Sequence, residues 1–78
     1  MYTGFWIANN HIYGPTDPGK FWIQDGYIWG PRNSGQYWIQ DNFIWGPQES
    51  GRFWIEDGHI YGPHADLPWM QKYEGFRL

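Results

Sequence analysis

Seventy-eight residues make one small domain, near the size at which a single core is only just sufficient, and the absence of cysteine excludes a disulfide framework or a thiolate metal site. A formal charge of −3 with only five Lys plus Arg argues against an electrostatic nucleic-acid binder. Aromatic residues make up 23%, and rings bury the area that a short chain otherwise lacks.

Met1-Tyr2-Thr3 has neither the basic region nor the apolar run of a signal peptide, and no stretch reaches the length of a membrane span. The default compartment is therefore the cytoplasm. From residue 4 a 16-residue unit recurs, over residues 4–19, 20–35, 36–51 and, cut short by the C-terminal cap of 64–78, over 52–63. An aromatic-Trp-Ile triplet recurs at Phe5-Trp6-Ile7, Phe21-Trp22-Ile23, Tyr37-Trp38-Ile39 and Phe53-Trp54-Ile55. Gly-Pro recurs at Gly14-Pro15, Gly30-Pro31, Gly46-Pro47 and Gly62-Pro63. A residue type that returns at one spacing does a shared structural job in each unit, which removes most apparent active-site candidates.

Each unit reads as one β-hairpin. In the second, Phe21-Trp22-Ile23-Gln24 and Tyr27-Ile28-Trp29-Gly30 flank Asp25-Gly26. Asp-Gly between β-branched and aromatic runs is a strong hairpin signal, because a type I′ turn needs positive φ at both central residues. Asn9-Asn10, Asp41-Asn42 and Asp57-Gly58 are the counterparts, all tolerant of left-handed geometry. Gly-Pro ends the second strand. Pro31-Arg32-Asn33-Ser34-Gly35 and Pro47-Gln48-Glu49-Ser50-Gly51 are tight connections, which Pro15-Thr16-Asp17-Pro18-Gly19 varies. Connections this short make consecutive hairpins neighbours, so the chain is all-β: an antiparallel meander of eight short strands.

The turns also set the register. Gln24 stands opposite Tyr27, Ile23 opposite Ile28 and Trp22 opposite Trp29; across the next connection Ile28 faces Tyr37 and Tyr27 faces Trp38. Alternation then sorts the side chains onto two faces. One collects Phe5, Ile7, Ile12, Phe21, Ile23, Ile28, Tyr37, Ile39, Ile44, Phe53, Ile55 and Ile60. The other collects Trp6, Tyr13, Trp22, Trp29, Trp38, Trp45, Trp54 and Tyr61, with Gln24, Gln40, Glu56, His11, Tyr27, Phe43 and His59. The stagger is two residues per unit, eight across the four units. Eight strands with a shear of about eight are consistent with a small closed barrel, whose interior takes about twelve side chains in three layers of four. The Phe/Ile face supplies twelve, whereas eight Trp and Tyr rings overfill that space, so the Phe/Ile face is assigned to the inside. An open, curled meander with the tail over one edge is the alternative that such short strands leave.

The Trp/Tyr face then points outward. Cross-strand pairs (Trp6 with Tyr13, Trp22 with Trp29, Trp38 with Trp45, Trp54 with Tyr61) add ring contact. Their outer surfaces stay open to water, and apolar surface of that extent marks a contact site. These eight residues are the candidate binding set. In the tail, Asp66 is placed to cap a short helical turn with Pro68 in its first turn, and Trp69, Met70, Tyr73 and Phe76 are placed to cover a barrel end or a sheet edge.

The chemical candidates are weaker. His11 and His59, with His64, suggest a metal or ligand site, but no carboxylate stands at a matched spacing and the inner units carry Tyr27 and Phe43 there. Asp25, Asp41 and Asp57 occupy separate turns, where turn formation explains them better than a hard cation. Ser34 and Ser50 have no base at a repeatable offset. No catalysis, cofactor or metal is expected. Trp22-Ile23-Gln24-Asp25-Gly26 and its equivalents resemble the choline- and glucan-binding repeats of bacterial surface proteins. The unit here is shorter, Gly-Pro follows every hairpin, and the long linking segment of those repeats is missing, so no residue role is carried over.

The sequence is thus read as a non-catalytic repeat protein that acts by protein interaction or self-assembly through its Trp/Tyr face. The second reading is carbohydrate binding, with indoles stacked on sugar rings and Gln24, Gln40 and Glu56 as hydrogen-bonding neighbours.

Overall fold

A computed structural model describes residues 1–71. Eight antiparallel strands follow one another around a closed barrel: β1 (Tyr2–Ala8), β2 (His11–Tyr13), β3 (Pro18–Gln24), β4 (Tyr27–Trp29), β5 (Tyr37–Gln40), β6 (Phe43–Trp45), β7 (Phe53–Glu56) and β8 (His59–Tyr61). Closure is made by β1 against β8, with Tyr2 opposite Tyr61 and Trp6 opposite His59. The open meander is thereby replaced by a sheet without a free edge.

The hairpin turns have the expected geometry, with positive φ at Asn9, Asn10, Asp25, Gly26, Asp41, Asn42, Asp57 and Gly58. They also do a job that their sequence does not announce. The carbonyl of each second turn residue accepts the N–H of the next unit's isoleucine: Asn10 from Ile23 (2.7 Å), Gly26 from Ile39 (2.8 Å), Asn42 from Ile55 (2.8 Å) and Gly58 from Ile7 (2.7 Å). The last of these completes the ring.

The register is the one the turns dictate. Trp22 faces Trp29, Ile23 faces Ile28 and Gln24 faces Tyr27, while Tyr27 faces Trp38 and Ile28 faces Tyr37. Followed around the barrel, the pairs Trp6–Tyr13, His11–Trp22, Tyr27–Trp38, Phe43–Trp54 and His59–Trp6 advance two residues per unit and return to their start after a stagger of eight. Two strands begin earlier than the aromatic triplets suggest. β1 starts at Tyr2, which β8 pairs, and β3 starts at Pro18, which Tyr13 pairs across an irregularity. In β1 the bulge is patched by Thr3, whose buried hydroxyl donates to the Ile60 carbonyl (2.7 Å) and accepts the Phe5 N–H (3.2 Å).

The Phe/Ile face is inside. The ring layer Phe5, Phe21, Tyr37 and Phe53 and the layer Ile12, Ile28, Ile44 and Ile60 are fully buried. Ile7, Ile23, Ile39 and Ile55 form the third layer at the hairpin-turn end, packed on the core but partly open to solvent. Beyond the ring layer the inward positions are Gly14, Gly30, Gly46 and Gly62, two residues after each Ile. A Cβ at any of them would lie 2.1–2.3 Å from a ring carbon of Phe5, Phe21, Tyr37 or Phe53. The glycine of Gly-Pro is therefore needed by the core, where it makes room for a ring.

The C-terminal segment closes the opposite end. Leu67, Pro68 and Trp69 are buried, and the Trp69 ring lies 6.0 Å from that of Tyr37 and 6.2 Å from that of Phe53. Two equivalent loop positions hold the segment in place. Asn33 donates to the carbonyls of Trp69 and Gln71 (both 2.9 Å), and Glu49 receives His64 Nε2 at 2.8 Å. Arg32 adds a bond to the Met70 carbonyl (2.7 Å). The expected helical turn forms at Pro68–Met70, but Leu67 rather than Asp66 is its N-cap, and no side chain caps it. Pro68 has no N–H, and that of Met70 goes to the Leu67 carbonyl (3.0 Å), which leaves a capping carboxylate little to satisfy. Tyr73 and Phe76 lie outside the described residues.

Candidate functional site

The outside of the barrel carries a staircase of rings. In every unit the Trp of the odd-numbered strand is flanked on both sides. Its hairpin partner is Tyr13, Trp29, Trp45 or Tyr61, and its other neighbour is the residue that follows the adjacent turn: His59, His11, Tyr27 or Phe43. The eight candidate residues therefore share one face, but they divide into two sets.

Tyr13, Trp29 and Trp45 lie flat on glycine. A Cβ at Gly19, Gly35 or Gly51 would come within 2.8–2.9 Å of those rings, and all three glycines have positive φ. The indole N–H of Trp29 donates to the Gln24 carbonyl (3.0 Å) and that of Trp45 to the Gln40 carbonyl (3.1 Å). These rings, with Tyr61, are half-buried and complete the wall. Trp6, Trp22 and Trp38 form the open set, and Trp54 is intermediate.

The same hydrogen bonds correct the expected ring pairs. The outer two form, with Trp6 and Tyr13 stacked at 6.1 Å and Trp54 and Tyr61 at 5.8 Å. Trp22–Trp29 and Trp38–Trp45 keep their register, but no ring contact joins either pair among the described residues. Trp29 and Trp45 turn their N–H groups to a turn carbonyl and meet Tyr27 (6.4 Å) and Phe43 (6.3 Å) instead. A tyrosine has no ring N–H to make that bond and stays stacked. Tyr27 in turn meets Trp38 at 6.3 Å, and Tyr2, absent from the expected set, meets Tyr61 and His59 at 5.5 and 5.3 Å. Position parity assigns Tyr27, Phe43 and His59 to this face; only the β1–β8 closure adds Tyr2.

The three histidines do not converge. His59 and His11 are separated by β1, where they pair with Trp6 and Ala8 respectively. His11 gives its Nδ1 proton to the Asn9 carbonyl (3.1 Å) and His59 gives its own to the Asp57 carbonyl (2.8 Å), each within its own turn. His64 sits at the far end on Glu49, edge-on to Phe53. Asp25, Asp41 and Asp57 are exposed turn residues, each in its own hairpin.

A cleft of about 250 Å³ separates the cap from the first two inter-unit connections, lined among others by Phe5, Asp17, Arg32, Asp66 and Leu67. Two of its charged groups already have backbone partners: Asp17 Oδ1 accepts the Lys20 N–H (3.2 Å) and Arg32 donates to the Met70 carbonyl (2.7 Å). The cleft is the seam between cap and barrel. No helix among the described residues is long and apolar enough to cross a membrane. The chain matches no protein-family model, no curated protein and no solved structure.

Proposed function

We propose that this protein acts by binding rather than by catalysis, and that its outer aromatic belt docks another protein or a second copy of the chain. One observation carries the reading. Six rings on the outer wall, Tyr2, Trp6, Trp22, Tyr27, Trp38 and Phe43, remain 37–43% exposed, while the barrel interior is buried without using those outer faces. Rings held at fixed positions by strand pairing lose little freedom on contact, which favours them as anchors of an interface. Because the sheet has no free edge, association goes through side chains and not through strand addition.

Sugar binding is the second reading, favoured by Trp22 Nε1 lying 3.4 Å from Gln24 Oε1, which sets a carboxamide beside an exposed indole face. Light scattering and Trp emission separate the two. An oligomer with blue-shifted emission, dissociated by Trp22→Ala/Trp38→Ala without loss of circular dichroism, supports docking. A monomer whose emission responds saturably to one class in a glycan panel supports sugar binding. A monomer that responds neither to glycans nor to a basic peptide, with Trp38 shielded from quenchers, removes the basis for both.

A further inference from the structure

The charges of this barrel are segregated along its axis. Asp25, Asp41, Glu56 and Asp57 lie at the hairpin-turn end, all exposed, and among the described residues none of their carboxylates has a hydrogen bond or an ion pair. Every described Lys and Arg (Lys20, Arg32 and Arg52) lies at the other end, beside Asp17, Glu49 and Asp66. Lys20 and Asp25, like Arg52 and Asp57, are five residues apart along extended chain, roughly 16 Å. That exceeds the screening length of about 8 Å at physiological salt, so the cations of one end do not neutralise the carboxylates of the other.

Three of these carboxylates sit in turns that are bonded to the strands of the aromatic belt. The Asp25-Gly26 turn is bonded through Gly26 to Ile39, the residue after Trp38, and Asp25 precedes the exposed Tyr27 by two positions. Asp41-Asn42 is bonded in the same way to Ile55, after Trp54, and Asp57-Gly58 to Ile7, after Trp6. Three of the four units thus repeat a carboxylate, a ring and an indole within one turn and its neighbouring strand. The fourth, with Asn9-Asn10 bonded to Ile23 after Trp22, has the same backbone and no charge.

An indole face is the best aromatic acceptor of a cation, and a guanidinium both stacks on it and pairs with a nearby carboxylate. Building on the docking role of the belt, we infer that its occupant is an arginine-bearing segment of another protein, with guanidinium groups over Trp38, Trp54 and Trp6 and paired with Asp25, Asp41 and Asp57. A second copy is disfavoured. Two turn ends repel, and the loop end sets three acids beside its three described Lys and Arg. A neutral glycan offers these carboxylates hydroxyls to accept from but no charge to pair with.

Hexa-arginine is the probe, with hexa-glutamate as control, and a labelled peptide's anisotropy is the readout at low and at raised salt. The charge variant Asp25→Asn/Asp41→Asn/Asp57→Asn keeps turn residues that adopt positive φ, since Asn9 and Asn42 already do so in this chain. Wild-type protein should bind hexa-arginine saturably and hexa-glutamate not at all. The charge variant should bind about tenfold more weakly, Asn9→Asp about twofold more tightly, and Trp38→Ala more weakly with its charges intact. Equal affinity for the charge variant, no binding of hexa-arginine, or indifference to Trp38 overturns the inference. If self-association that depends on Trp22 and Trp38 persists in that event, the docking role of the belt survives and only the basic partner is lost.

Discussion

Replacing Gly30 by alanine isolates the packing rule on which this barrel rests. The new methyl would lie 2.3, 2.7 and 2.8 Å from Cδ2, Cε2 and Cγ of Phe21, against about 3.5–4.0 Å for an unstrained carbon–carbon contact. Phe21 is fully buried in a layer of four rings, so it has nowhere to retreat. Gly30 does not have positive φ, and alanine there should by itself gain about 0.4–1 kcal/mol by restricting the unfolded chain. Overpacking costs about 1–3 kcal/mol or more and outweighs that gain. A net loss of about 2 kcal/mol lowers the melting temperature of a domain this size by about 8–16 °C. Thermal melts followed by circular dichroism measure it, with Phe21→Leu as the partner change. The double variant should be more stable than the sum of the two single losses, because the smaller side chain vacates the space the methyl needs. Gly26→Ala is the control. Its methyl meets nothing closer than 3.9 Å, but φ is +80°, so it should lose about 1–2 kcal/mol whatever stands at Phe21. A Gly30→Ala protein as stable as the wild type, or strict additivity with Phe21→Leu, would refute the argument.

Two further perturbations probe the wall and the cap. Ile44→Ala should cost about 2–5 kcal/mol and Trp38→Ala about 1 kcal/mol in urea titrations; equal losses would reverse the assignment of inside and outside. Asn33→Ala removes two donors to the C-terminal segment and puts alanine at a φ of 54°. A loss of about 2 kcal/mol or more, with Trp69 becoming open to a quencher, is expected, while Asn33→Gly keeps the loop and loses only the bonds. A Trp69 as shielded as before would show that Asn33 does not hold the cap.

The aromatic belt was only half legible in the sequence. Parity placed Trp29 and Trp38 on the same side, and that holds. It could not say that Trp29 lies down over Gly35 while Trp38 stands open, because the difference comes from an indole N–H reaching the Gln24 carbonyl. The glycines before proline do carry a signal in the sequence: each falls at an inward position two residues after a core isoleucine, where an absent side chain means that something else fills the space. Asp66 does not cap the turn, because a helical turn of three residues beginning with proline has almost no free N–H for a cap.

What the amino-acid order fixed was local. Asp-Gly and Asn-Asn turns set each hairpin, alternation set the two faces, and the repeat length set a stagger of two residues per unit, since all of these depend on neighbours a few positions apart. Only the folded chain decided that β1 meets β8, that the cap fills the ring end, and which indoles remain open. Those outcomes depend on summed twist and on groups brought together from nearly sixty positions apart, as in the Thr3 bond to Ile60, and no short stretch of chain contains that information.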